Sequence, residues 1–392
     1  MECSHLQSEN KNPSLLQLFL SFLKLGITAF GGPAMVAYIR KMVVMQKKWL
    51  DDESFHEGVA LCQTIPGATA MQTTAFVGLR TRGLPGAAVS FIGFGLPSFF
   101  IMMILSALYV HAHSLPIFVS AFAGLQALIV AIVANATMSF GTTLLKNWKS
   151  ILLAAVAAGL FGLGVSPILV ILLAALLGFL FPIKQLLPQK NIGSAKKPYY
   201  SRTLLLLLLV VAAGLILLFF TNRKVFHLAT LMLRIDLFAF GGGFASVPLM
   251  FHEIVNVRSW LDGPTFLNGI ALGQITPGPI VITATFVGYL LYGTRGGIIA
   301  TISVFLPSFF ILAGIEPYYD RLRRSIYFSK AMAGILCSFV GLLLSVTIRF
   351  ASHVPWDLAR ILLASVAFIA LRFKINILWV VLIGTLVSLL VF

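Results

Sequence analysis

The sequence predicts an all-α polytopic membrane protein built from two homologous halves, and three observations carry that prediction. Only 10% of the 392 residues are charged while 59% are hydrophobic, with a mean hydropathy of +0.99. A water-soluble chain of this length needs more charge on its surface than that. The apolar runs, residues 204–220 among them, lack the apolar/polar alternation of a membrane β-barrel. Finally, a block of motifs that begins near residue 30 returns about 210 residues later, and paired halves with Gly/Pro-interrupted apolar segments are the sequence pattern of secondary transporters.

Taken in order, residues 1–14 are polar and lack the apolar core of a signal peptide. The first repeat is expected over 15–182, with spans near 15–32, 84–110, 115–143, 151–164 and 165–182 and a shorter, broken segment at 54–79. Segment 151–164 is short for a span and reads alternatively as half of a re-entrant pair with 165–182. A basic, cytoplasmic linker is expected at 183–202, then an extra transmembrane helix at 203–221. The second repeat, 222–392, offers spans near 225–242, 296–316, 326–350, 356–371 and 375–392 and a broken segment at 265–290. Counting each broken segment as one crossing gives about thirteen spans. A cytoplasmic N-terminus then leaves most loop cations inside, with Arg40, Lys41, Lys47 and Lys48 as the clearest exception beside Arg223, Lys224, Arg295 and Arg349. The odd number of crossings before the second repeat predicts an inverted repeat, which opens one midplane site to each side in turn.

The two copies match motif by motif. Phe30-Gly31-Gly32-Pro33, Trp49-Leu50-Asp51, Gln63-Thr64-Ile65-Pro66-Gly67, Phe76-Val77-Gly78 and Leu96-Pro97-Ser98 return as Phe240-Gly241-Gly242-Gly243, Trp260-Leu261-Asp262, Gln274-Ile275-Thr276-Pro277-Gly278-Pro279, Phe286-Val287-Gly288 and Leu306-Pro307-Ser308. Glycine runs and proline end or weaken helices, and backbone groups freed inside a membrane must be satisfied by protein or by a wet cavity. Gly31, Gly32, Gly241, Gly242 and Gly243 therefore read either as an unwound stretch facing a polar solute or as close helix packing through small residues. After Pro66-Gly67 and Pro277-Gly278 a helix begins within the membrane, and its N-terminus suits an anion. Thr69, Thr73 and Thr74, with Thr283 and Thr285, add hydroxyls along those helices, Thr64 and Thr276 stand at the breaks, and Gln63 and Gln274 add an amide each. The competing reading is a plain proline kink with threonines bonded back to their own helix. Pro279 stands where the first copy has Ala68, so the first copy holds one more backbone donor and the halves need not contribute equally.

Lys24 and Arg234 align, each six residues before Phe-Gly-Gly and inside an apolar run. A cation at that depth costs about 2.5–3.5 kcal/mol to insert, so it faces a partner or a wet cavity. The pair either flanks a dianion or snorkels to the interface. Lys47 and Arg258, each just before a Trp, read as interface anchors. Arg40 and Lys41 either collect anions at an entrance or are simply solvated. Asp236, inside a span, is the expected proton-coupling residue, ahead of Glu253, beside His252, and Glu316. Cys3, Cys62 and Cys337 are too few and scattered for a disulfide framework or metal site. No phosphate-binding loop, dinucleotide fingerprint or nucleophile elbow occurs, so no enzyme activity, cofactor or metal is expected. The net charge of +16 reads as loop cations held against the bilayer, with no nucleic-acid partner.

Taken together, the duplicated Phe-Gly-Gly, Trp-Leu, Gln…Pro-Gly and Leu-Pro-Ser motifs resemble the chromate ion transporter family in its long, two-domain form, over nearly the whole chain. That resemblance implies a plasma-membrane carrier moving chromate outward with the proton gradient and giving chromate resistance. Sulfate, a similar tetrahedral dianion, is an alternative substrate. A transporter of another oxyanion and a non-transporting membrane receptor or assembly subunit are the rival readings. Beyond the anion, the expected partners are the lipid bilayer and a second copy of the chain in a homodimer.

Overall fold

A computed structural model describes residues 13–113, 115–180 and 201–392, so the segment 1–12 and nearly all of the expected linker 183–202 lie outside the described residues. Among the described residues the chain is helical throughout, and five helices are long and apolar enough to cross a membrane. The first half runs α1 (Leu15–Thr28), α2 (Gly32–Arg40), a π-turn (Lys41–Gln46), α3 (Asp52–Thr64), α4 (Thr69–Ala112), α5 (Pro116–Leu144), α6 (Trp148–Gly162) and α7 (Pro167–Leu180). Helix α8 (Ser201–Thr221) stands between the halves with its leucines exposed, as a lipid-facing helix requires. The second half repeats the order as α9 (Arg223–Leu237), α10 (Ser246–Phe251), a π-turn (His252–Val257), α11 (Gly263–Ile275), α12 (Thr283–Ile315), α13 (Tyr319–Arg324), α14 (Ile326–His353), α15 (Leu358–Arg372) and α16 (Ile377–Val391).

Every expected apolar segment is a helix, but the broken segments do not run straight through. Gly58 of α3 lies against the Phe76 ring of α4, with no room for a Cβ. Residues on either side of the Pro66-Gly67 break therefore sit side by side, and α3 and the first arm of α4 form a hairpin that enters and leaves on one side. Gly269 and Phe286 repeat this contact across the Pro277-Gly278 break. A second reversal follows. Arg82 and Gly83 depart from helical geometry, Gly83 at φ +65°, and Gly78 and Gly86 meet backbone to backbone. Residues eight apart in a straight helix lie about 12 Å apart, so α4 is two arms, 69–81 and 84–112. Tyr292-Gly293 and the contact between Gly288 and Gly296 do the same in α12.

This folding back moves a charge cluster. Arg82 donates from Nε to the Pro13 carbonyl (2.6 Å), which puts the end of the first arm beside the start of α1. Helix α3, antiparallel to that arm, starts on the same side, called here the near side. Arg40 is bonded to Asp52 at that start. Arg40, Lys41, Lys47 and Lys48, the clearest exceptions when the broken segment counts as a crossing, thus come to the side of the N-terminus. The inversion of the repeats survives. The long arm of α4 goes to the far side, α5 returns, α6 and α7 go out and back, and α8 crosses alone, so α9 starts from the far side.

The halves interlock. Gly334 of α14 packs on the backbone of Ala174 and Gly178 in α7, while Gly124 of α5 packs on Ser388 of α16, whose hydroxyl accepts from the Gly124 N–H (2.8 Å). Each long helix therefore rests on the terminal hairpin of the other half, through small residues that allow close approach. The Trp-Leu-Asp motif is a turn and a cap. Lys48 and Ser259 take positive φ (52° and 49°), and Asp51 and Asp262 accept from the Ser54 and Thr265 N–H groups at the starts of α3 and α11.

Candidate functional site

The two Pro-Gly tips meet at the centre of the molecule, and each is clasped by the opposite half. Gly67 N–H donates to the Ala239 carbonyl at the end of α9, and Gly278 N–H donates to the Ala29 carbonyl at the end of α1, both at 3.0 Å. Both glycines take positive φ (120° and 106°) and face the hydroxyls of Ser308 and Ser98 so closely that no side chain fits. Here the symmetry ends. Ala68 N–H donates to Ser308 Oγ (2.9 Å), and Ser308 donates from Oγ (2.7 Å) and N–H (2.8 Å) to Asp236 Oδ2. Pro279 has no N–H, so Ser98 instead donates to the Pro277 carbonyl at 2.5 Å. At the position matching Asp236 the first half has Gly26, packed on the Phe94 backbone. One carboxylate thus goes with one additional backbone donor.

Beside the tips lies a cavity of about 540 Å³ between the halves, within the size range of small-molecule sites. Gly31, Gln63, Ala68 and Thr69 line it from the first half, and Gly241, Gly242, Gly243, Gln274, Thr276, Gly278 and Pro279 line it from the second. Gly31 and Gly242 both take positive φ (84° and 85°) but differ in ψ (94° and −164°), and the second copy is one residue longer between its Phe-Gly-Gly and Trp-Leu motifs. Thr69 and Ala70 stand in the first turn of α4, where N–H groups lack intrahelical acceptors. Among the described residues Gln274 Nε2 is buried with no hydrogen-bond partner. Arg40 and His56 are the basic side chains at this wall. Arg40 is forked onto Asp52, Nε to Oδ1 at 2.7 Å and Nη2 to Oδ2 at 2.9 Å, and this hydrogen-bonded guanidinium holds the Asp52 carboxyl below its usual range. His56 Nε2 is 3.5 Å from Asp52.

Several residues singled out by sequence stand elsewhere. Lys24 is exposed on α1 and does not line the cavity. Arg234 pairs with Glu253 (2.5 Å), which Arg258 also bonds while resting over Trp260. Glu316 pairs with Arg80 at 3.1 Å. The amides following Pro66 and Pro277, expected to face an anion, are spent on the clasp, leaving the next turn for a ligand. Thr64 and Thr276 bond back to the Leu61 and Leu272 carbonyls (2.8 and 2.7 Å), the kink reading of these two hydroxyls. Gly32 heads α2, and the Pro66 and Pro277 carbonyls accept from Gln72 (2.6 Å) and Ser98. Asp236 is fully buried in α9, and among the described residues its Oδ1 has no partner. Sequence reasoning missed the part played by Ser98 and Ser308, whose signal was the repeated Leu-Pro-Ser.

The cavity opens toward the near side, and His56 close to the start of α3 and Gln63 at its inner end are both exposed. Its wall there includes Arg40, Phe55, Phe140 and Thr143. The matching positions of the second half are Phe251, Phe266, Phe350 and His353, whose rings pack together with centroids 5.1–6.4 Å apart. Gly263, matching Asp52, is pressed against His353. An aromatic plug on the far side therefore replaces the basic mouth of the near side.

Comparison with known proteins agrees with the doubled architecture. The family model for chromate transporters matches residues 16–179 and again 226–389. An uncharacterized transporter of Methanocaldococcus jannaschii is 46% identical over 379 residues, 96% of this chain and 94% of that protein. Chromate transport proteins of Cupriavidus metallidurans and Pseudomonas aeruginosa are 28% and 30% identical, over 92% and 86% of this chain and 89% and 80% of theirs. No solved structure matches. Matched by one family model in each of its two interlocked halves, this multi-pass membrane protein belongs to the chromate transporter family.

Proposed function

We propose that the chain exports chromate from the cytoplasm across the plasma membrane in exchange for protons, and so confers chromate resistance. The observation that carries this reading is the central cavity, lined by glycine backbone, Thr69 and Gln274, with a basic mouth on the N-terminal side. The positive-inside rule assigns that side to the cytoplasm, where Arg40 and the neighbouring Lys41, Lys47 and Lys48 raise the local concentration of anions. Inverted repeats then exchange the open mouth for the far plug by equivalent motions.

Asp236 is the proton site in this reading. Its carboxylate holds Ser308, and Ser308 holds the Ala68 amide at the first tip. A proton on Asp236 weakens the acceptor that orients Ser308 and loosens the tip from α12, which links proton occupancy to the cavity wall. An inside-negative potential already favours anion exit by about 2.3 kcal/mol per charge per 100 mV. Proton entry adds to that driving force, and the link through Asp236 ties each exit to a protonation step. Sulfate is the second reading, because hydroxyl, amide and N–H donors do not distinguish one tetrahedral dianion from another.

Flux of labelled chromate in proteoliposomes, with sulfate as competitor and an imposed pH gradient, tests all of this. Chromate flux that rises with an opposing proton gradient supports the reading. Sulfate flux well above chromate flux favours the alternative, and saturable binding without flux makes the protein a receptor.

A further inference from the structure

We propose that Arg40 takes two oxygens of the transported oxyanion in its guanidinium fork, and that Asp52 is the internal stand-in for that anion when the site is empty. The inference rests on the oxyanion-transport reading and adds a substrate contact to it. Arg40 stands on the cavity wall, and the fork it offers, Nε and Nη2 in parallel, is already filled by two carboxylate oxygens at 2.7 and 2.9 Å. A guanidinium fork fits carboxylate and tetrahedral oxyanions by the same two-oxygen geometry. The pair is a cheap one to open. Asp52 is 49% exposed and Arg40 35% exposed at the side chain, so water stands ready to replace each partner. A released Asp52 also has a second polar partner at hand in the His56 ring, one helical turn along α3 with Nε2 3.5 Å away.

The counterpart positions support a role in the cavity over a role in the fold. The second half joins the same two elements with Phe251 in place of Arg40 and Gly263 in place of Asp52, so the architecture forms without an ion pair there. Competition by Asp52 lowers the affinity of every anion alike, which keeps the site from holding its cargo too long on the near side.

The test is a double-mutant cycle on the purified full chain in detergent, reading equilibrium binding of chromate, with sulfate as a second probe. Arg40→Gln is expected to weaken binding at least tenfold, the loss of a charged, two-bond contact. Arg40→Lys, which keeps the charge without the fork, recovers only part of that loss. Asp52→Asn is expected to tighten binding by up to about fivefold, the range of an exposed pair, and to have no effect in the Arg40→Gln background. An Asp52→Asn gain that persists without Arg40 makes Asp52 a general repulsive charge and overturns the competition. Binding unchanged in Arg40→Gln overturns the contact. A wild-type protein that binds neither ion overturns the transport reading itself, which separates the two failures.

Discussion

On the near side Arg40, Phe55, Phe140 and Thr143 surround an open cavity. On the far side the matching Phe251, Phe266, Phe350 and His353 close on one another. The backbone around both is alike in the positive φ of Lys48 and Ser259 and in the reciprocal 3.0 Å clasps of Gly67 and Gly278, though the second copy is one residue longer at its Gly-Gly break. The difference teaches that the repeat supplies the frame while its ends are specialised. A charged mouth stands where the cavity is open, and a packed aromatic cluster closes the other end. The centre carries a second, linked difference: Ala68, Ser308 and Asp236 in one clasp, Pro279, Ser98 and Gly26 in the other.

The largest effect is expected where the halves are alike. Gly67→Ala and Gly278→Ala each force a side chain into positive φ and into a serine hydroxyl, and each should cost about 4 kcal/mol or more in total. Thermal unfolding in detergent should show two similar, severe losses, and one tolerated substitution would break the equivalence of the tips. Next comes the centre, where Asp236→Asn keeps an oxygen for Ser308 but cannot exchange a proton. It should retain chromate binding and lose gradient-driven flux by at least about tenfold, the usual scale of a lost proton-transfer group. Full gradient-driven flux in that variant would remove Asp236 from coupling.

A smaller contrast lies in the serines. Ser308→Ala strands both the Ala68 amide and part of the Asp236 carboxylate and should cost about 2–4 kcal/mol, whereas Ser98→Ala strands one carbonyl lone pair and should cost about 1 kcal/mol. Equal losses on unfolding would mean that the additional donor and carboxylate add nothing to the first clasp. Pro279→Ala is the mildest change, within about 1 kcal/mol. It gives the second tip a free N–H beside Ser98, and a stability near wild type is expected. A loss as large as that of Ser308→Ala would show that proline rigidity, rather than the missing donor, shapes that tip.

Much of this was legible in the residues. Hydropathy and the lack of apolar/polar alternation together dictate helices, because a chain this apolar must satisfy its backbone internally in lipid and does not carry the pattern of a barrel. The duplicated Gly-Gly and Pro-Gly motifs located the cavity wall at Gly31, Gly241–Gly243, Gln63, Gln274, Thr276 and Gly278, since glycine and proline mark where a helix must end. Lys24 and Arg234 were equally conspicuous, yet one lies on the outside of α1 and the other is held by Glu253 nineteen residues away. Helix periodicity says which residues share a face and is silent about what that face meets.

Sequence by itself determined the helical membrane fold, the two halves and the places where the backbone breaks, each from local chemistry: apolar runs and turn residues. Inversion was expected from crossing parity, on a count in which each broken segment crossed. Tertiary structure alone decided that the broken segments fold back, that each tip is held by the opposite half, that Arg40 reaches the cavity and that Ser308 ties Asp236 to Ala68. Those contacts join residues tens to hundreds of positions apart. Their partners are chosen by close packing between the halves, which no local pattern of residues encodes.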